Sequence, residues 1–232
     1  MQPRGQATLE VCLDAPDDLA LAVAAGVDRI ELCSALALGG LTPTPGLIER
    51  ARTVPIPVYA MIRPRAGDFC YSRAELDQMA VEIAMVREAG LAGVVFGVGQ
   101  AGGELDLAAM RTLCAAAAGL GKTLHRVVDT LADPVSTVDP AIALGFERIL
   151  TSGGKDTALE GASNIEAMLT RAGANIEIMA GSGVRSNQIE AFKKIGCRSF
   201  HASCAQTDPK SNTRRIDPAE LSKLLGHIKN ID

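Results

Sequence analysis

One recurring punctuation mark constrains this chain more than any other feature. A helical pattern ends in Gly, an apolar residue follows, and a new strand-like stretch begins. The copies are Ala25-Gly26-Val27, Ala89-Gly90-Leu91, Leu144-Gly145-Phe146, Ala172-Gly173-Ala174 and Ile195-Gly196-Cys197. Gly just past a helix supplies the left-handed backbone that stops it. Five copies of one mark predict copies of one unit, a strand followed by a helix. Pairing the segments predicts strands at about 8–13, 28–33, 57–62, 92–97, 122–127, 147–152, 176–181 and 198–203. Helices are predicted between them, at about 16–25, 45–53, 73–89, 106–119, 134–144, 158–171, 185–195 and 217–229. Eight alternating units without a long linker predict an α/β fold, a (β/α)8 TIM barrel, as a single domain over 1–232. The polar stretch 206–215, which contains a Pro, reads as a surface loop before the last helix.

Start signals agree with this parsing. Pro16 follows Asp14-Ala15, Ser72 precedes Glu75 in a capping-box arrangement, and Asp106 and Asp133-Pro134 stand at later helix starts.

Strands that alternate a polar with an apolar face need two environments. In Leu9-Glu10-Val11-Cys12-Leu13 and Ile30-Glu31-Leu32-Cys33-Ser34 the Glu-x-Cys pairs share one face and the aliphatic residues the other. A closed barrel satisfies both, with aliphatics under the helices and the polar face in the lumen. The same alternation turns Arg29, Tyr59, Met61, Arg63, Thr123, His125, Arg148, Glu177, Met179, Ser199 and His201 inward. Strand eight closes on strand one, which places His201 near Glu10 and Cys12.

Two readings of this lumen follow. Glu10, Glu31 and Glu177 against Arg29, Arg63 and Arg148 can form a neutral internal network. Nearer the mouth, the thiols of Cys12 and Cys33 admit three roles: soft-metal ligation, nucleophilic or redox chemistry, or packing as small hydrophobes. Cu(I) is satisfied by two thiolates, whereas zinc also requires His201 or His125.

The loops add an anion signal. Gly181-Ser182-Gly183 closes strand seven and leads toward a helix, and Ser152-Gly153 follows strand six. Small-residue turns at these strand ends expose backbone N–H groups to an anion. Arg63, after strand three, can clamp a carboxylate or phosphate, or pin its own loop. With His125, Glu10, Glu31 and His201 as proton-transfer candidates, these define an enzyme of small phosphorylated or carboxylated metabolites. Gly119-Leu120-Gly121-Lys122-Thr123 only imitates a P-loop, since Ala116 replaces its first Gly and a strand follows.

A net charge of -4 argues against nucleic acid or an anionic membrane surface as partner. No apolar run approaches a membrane span, and MQPRGQATLEVC lacks a signal-peptide core. Six cysteines without a C-x-x-C read as reduced thiols, which predicts a cytoplasmic location.

ELCSALALGGLTP (31–43), MIRPRAGDFCYS (61–72), LHRVVD (124–129), RILTSGG (148–154), IMAGSGV (178–184) and FHAS (200–203) together resemble the copper homeostasis protein CutC family. The likeness runs from residue 8 to about 204, with motifs in order. The resemblance implies a cytoplasmic (β/α)8 barrel that forms homo-oligomers and binds Cu(I), with Cys12 and Cys33 as ligands. The usual family segment is closer to FHRAFD; here His125, Arg126 and Asp129 are kept within LHRVVD.

Overall fold

The computed structural model describes residues 6–207 and 214–230. Eight parallel strands close into a barrel in sequence order: β1 (Thr8–Leu13), β2 (Arg29–Leu32), β3 (Val58–Met61), β4 (Gly93–Phe96), β5 (Gly121–Leu124), β6 (Arg148–Thr151), β7 (Glu177–Ala180) and β8 (Ser199–Ala202). The helices that wrap it are α1 (Pro16–Ala25), α2 (Pro45–Ala51), α3 (Arg73–Glu88), α4 (Leu107–Ala116), α5 (Val138–Ala143), α6 (Ala162–Ala172), α7 (Ile189–Lys194) and α8 (Pro218–Lys229). The (β/α)8 class read from the sequence is therefore the observed one.

Local chemistry explains the boundaries. All five predicted stop glycines have positive φ, from 54° at Gly173 to 80° at Gly196. Ser72 and Glu75 form a reciprocal capping box at α3, and Asp106 accepts from the N–H groups of Ala108 and Ala109 at α4. Three helices start four residues later than their sequence pattern. The predicted 134–144 helix divides into a 3-10 turn at Pro134–Thr137 and α5, and 185–195 divides similarly at Ser186–Gln188 and α7. The third, α6, starts at Ala162 instead of 158, because Gly161 packs against the turn after β6. A Cβ at Gly161 would lie 1.9 Å from the Ser152 carbonyl oxygen, so the chain must bend there before a helix can begin.

The predicted 206–215 loop is partly ordered: Ala205–Thr207 (β9) pairs antiparallel with Arg214–Ile216 (β10). The centre of that loop, 208–213, lies outside the described residues.

Alternation sorts the side chains as expected. Leu9, Val11, Ile30, Leu32, Val94, Phe96, Ile149 and Phe200 are fully buried in the layer between strands and helices. The opposite faces fill the lumen, whose amino-terminal end is closed by a polar floor. Tyr59 lies across it, with the Arg148 guanidinium 4.5 Å and that of Arg29 5.8 Å from the ring centre. Its hydroxyl donates to Glu147 Oε2 at 2.8 Å. Gly93 and Gly121 make room for the ring, since a Cβ at either would come within 2.2 Å of Tyr59.

Candidate metal centre at the barrel mouth

Above the floor, Glu10 is fully buried on β1 and ties two elements together. Its Oε2 accepts from Arg29 Nε at 2.5 Å, and its Oε1 lies 2.8 Å from His201 Nδ1. Burial alone would raise its pKa, but the Arg29 charge and then the His201 hydrogen bond overcome that and hold Glu10 down at about 2. A carboxylate that stays ionised only accepts, so His201 Nδ1 carries the proton toward it. That leaves Nε2 facing the cavity, 3.7 Å from Glu31 Oε2.

Cys12, Glu31 and His201, all buried, bring one ligand atom each within 4.8 Å of one another. Burial works against a charged imidazole, yet the Cys12 and Glu31 groups beside His201, with hydrogen bonds to Cys12 and Glu10, raise its pKa well above the usual value. Burial pushes Glu31 up to about 6, with the pull of His201 opposing and the charge of Glu10 reinforcing the rise. The Oε1 of Glu31 is buried without a hydrogen-bond partner. A thiol, an imidazole nitrogen and a carboxylate oxygen with a free lone pair form a donor set suited to a metal ion, which binds by displacing the proton that these neighbours hold on His201 Nε2.

Cys33 is not in that cluster, and strand register explains why. Cys12 pairs with Glu31, and Glu10 with Arg29, so the two Glu-x-Cys motifs are offset by two residues. Neighbouring strands in a tilted, staggered barrel do not place like motif positions at one height. Cys33 instead packs with Tyr59, Met61 and Val95 and donates to Glu31 Oε2 at 3.5 Å. Burial, and then the charge of Glu31, push its thiol well above the ordinary value.

The internal network expected from sequence is smaller than six residues. Glu10, Arg29, Glu177 and Arg148 are joined, with Arg29 Nη2 3.3 Å from Glu177 and Arg148 Nε 3.7 Å from it. Glu31 belongs to the cluster above, and Arg63 to the loops. Arg63 Nη1 donates to the carbonyls of Leu38 and Gly40, and Nη2 to that of Gly67, while its carbon stem leaves the guanidinium 5.0 Å from the Phe69 ring centre.

His125 sits one residue past β5, where the chain turns into a 3-10 segment at Arg126–Thr130. Its Nδ1 accepts from Val127 N–H at 3.2 Å, which assigns the proton to Nε2. Nε2 is buried without a partner. Burial, followed by the Arg63 charge, lowers the pKa of His125 to about 3, so the ring is neutral near pH 7.

The turn after β6 already contains an internal anion. Asp129 accepts from the Thr151 hydroxyl at 2.6 Å, from the N–H groups of Ser152 and Gly154 at 3.0 Å each, and from Arg126 Nε at 2.8 Å. Gly153 N–H donates to the Thr151 hydroxyl at 2.8 Å. Ser152 and Gly153 therefore have their backbone donors engaged. Sequence reasoning kept Asp129 only as part of a motif and missed this role; its spacing behind His125-Arg126 was the available signal.

The mouth opens into a cavity of about 630 Å³ whose walls include Cys12, Glu31, His125, His201, Ser182 and Gly183. A closed parallel barrel with a buried thiol, imidazole and carboxylate at this mouth defines a (β/α)8 protein with a candidate metal pocket. The CutC family model matches residues 7–206, and the chain belongs to the CutC family.

Similar curated proteins, each named family protein CutC, come from Rhizobium meliloti (strain 1021) and Caulobacter vibrioides (strain NA1000 / CB15N). The first is 50% identical over 211 residues, covering 90% of this chain and 86% of the relative. The second is 51% identical over 207 residues, covering 89% and 84%. A solved CutC structure from Streptococcus agalactiae superposes with a TM-score of 0.80 at 32% identity, covering 85% of this chain and 98% of its own.

Proposed function

We propose that this protein binds copper as Cu(I), carried as cargo, through Cys12 and His201 with Glu31 as a third, weaker donor. The observation that supports this reading is the convergence of those three ligand atoms within 4.8 Å at the barrel mouth. Reduced copper is soft and accepts low coordination, so a thiolate opposite an imidazole nitrogen suits it. Glu10 behind His201 fixes the ring and its tautomer, as carboxylates do behind metal-bound histidines. The Streptococcus agalactiae structure is of a protein named for copper homeostasis, which agrees with this reading.

Cys33 is the second thiol of the pair suggested by sequence, and here it takes a supporting part by donating to Glu31. Loss of the two thiols should therefore differ in effect. The six cysteines are free, which fits a cytoplasmic, reducing setting, and no described helix is long and apolar enough to cross a membrane. Self-association into a homo-oligomer is part of the same reading.

Anaerobic Cu(I) titration against a strong chelator tests the assignment. Cys12→Ser is expected to weaken Cu(I) binding by about 100-fold or more, and Cys33→Ser by about tenfold or less. Parent-like affinity in Cys12→Ser would remove the copper reading. Equal, large losses in both variants would restore the paired-thiol site instead.

A further inference from the structure

The cavity has polar groups that the metal cluster does not use, on the loops after β7 and after β5, the two strands that flank β6. After β7, Ser182 and Gly183 both adopt positive φ, 81° and 73°. Ser182 is held there because its hydroxyl donates to the Asp156 carbonyl at 2.7 Å and its own carbonyl accepts from Ala158 N–H at 2.9 Å. In consequence the N–H groups of Ser182, Gly183 and Val184 make no hydrogen bond to another described residue. Successive N–H groups in such a backbone form an anion-binding concavity. Lys155, Arg185 and Arg214 line the same cavity and bring positive charge to it.

The loop after β5 carries His125. Its Nδ1 edge faces Val127 N–H, so its Nε2–H edge faces away from the chain turn, and the residue lines the cavity. The residue is 2% exposed, and a buried N–H donor without an acceptor is costly in the empty protein. Gly97 is what allows the ring to lie there, because a Cβ would come 2.9 Å from Nδ1 and 2.6 Å from Val127. Phe69 covers the ring with centroids 4.6 Å apart, which fixes its position. An acceptor oxygen on a ligand is the missing partner.

We propose that the mouth cavity binds a small phosphorylated carboxylic or carbonyl compound, with phosphate on the N–H groups of residues 182–184 and a carboxylate or carbonyl oxygen on His125 Nε2–H. The phosphate lies between Lys155 and Arg185, whose charges complement it. A cavity of about 630 Å³ accommodates a compound of a few carbons. Neither end uses Cys12, Glu31 or His201, so the site stands or falls apart from the copper reading.

Calorimetric titration of the full-length, metal-free protein with 3-phosphoglycerate, glycerate and inorganic phosphate tests the two ends separately. The phosphorylated acid is expected to bind at least about tenfold more tightly than either fragment. His125→Asn keeps an acceptor for Val127 N–H and removes the Nε2 donor; it is expected to lose about tenfold for 3-phosphoglycerate with phosphate binding and melting temperature unchanged. Lys155→Ala/Arg185→Ala should weaken 3-phosphoglycerate and phosphate together. The proposal is overturned if 3-phosphoglycerate binds no better than phosphate, if His125→Asn binds it as the parent does, or if no probe binds at millimolar concentration. Cu(I) affinity in His125→Asn should equal that of the parent, so the two sites can fail separately.

Discussion

Replacing Glu10 by Gln is expected to destabilise the protein by about 3 kcal/mol at pH 7. The carboxylate is fully buried between Arg29 and His201, and Gln cannot neutralise either. Arg29 keeps Glu177 at 3.3 Å, a partner with 31% of its side chain exposed and therefore a weaker one. Linkage gives the same size of effect and fixes its sign. Glu10 is held at about 2 in the folded chain against an ordinary value of 4.5. Its contribution is thus present above about pH 4.5 and is lost as pH falls through that value toward 2. Denaturant melts of parent and Glu10→Gln should differ most at pH 6 to 7 and converge by about pH 2. A variant within about 0.5 kcal/mol of the parent at neutral pH would show that the Arg29–Glu10–His201 chain does not hold the barrel together. In Cu(I) titration the same variant should bind more weakly, because an ionised acceptor no longer orients His201.

Gly93→Ala is expected to cost about 3 kcal/mol or more, a value at the upper end for overpacking. The added methyl would lie 2.2 Å from Tyr59 Cε1 and 2.5 Å from the Gly121 carbonyl oxygen, so the ring and a neighbouring strand would both have to shift. Gly121→Ala makes a useful contrast. The three atoms nearest its methyl would all belong to side chains, the Tyr59 hydroxyl at 2.2 Å and Glu147 Oε2 at 2.7 Å among them. Adding Tyr59→Ala should therefore recover much of the loss caused by Gly121→Ala, but little of that caused by Gly93→Ala. Gly46→Ala serves as the control, because a Cβ there meets nothing within 4 Å and the residue is in α2. Melting temperatures of the five variants decide the matter. Equal recovery in both Tyr59→Ala double variants would show that the ring alone, and not the β5 backbone, sets the limit at position 93.

Local rules made most of the architecture legible in advance. The stop glycines, the capping box at Ser72 and the strict alternation on β1 and β2 are short-range signals, and each had one geometric outcome. Alternation also turned Glu10, Cys12, Glu31 and His201 inward before any coordinates were needed. Height along the barrel is different, because it depends on the stagger between neighbouring strands. That stagger puts Glu31, not Cys33, level with Cys12. Two motifs that look equivalent in sequence consequently take unequal roles. For Arg63 the sequence offered loop pinning as one of two roles but not its partners, and Asp129 was opaque for the same reason: the acceptors of Arg63 are carbonyls of loops, and the donors to Asp129 include backbone N–H groups of a distant turn. No side-chain pattern in sequence records such partners.

The Tyr59 floor has a consequence for traffic. With one end stoppered by an aromatic ring clamped between two guanidinium groups, the interior is a blind cup and not a conduit. Whatever is picked up at the rim has to be handed back across that same rim. Binding and release at this mouth therefore share a single doorway.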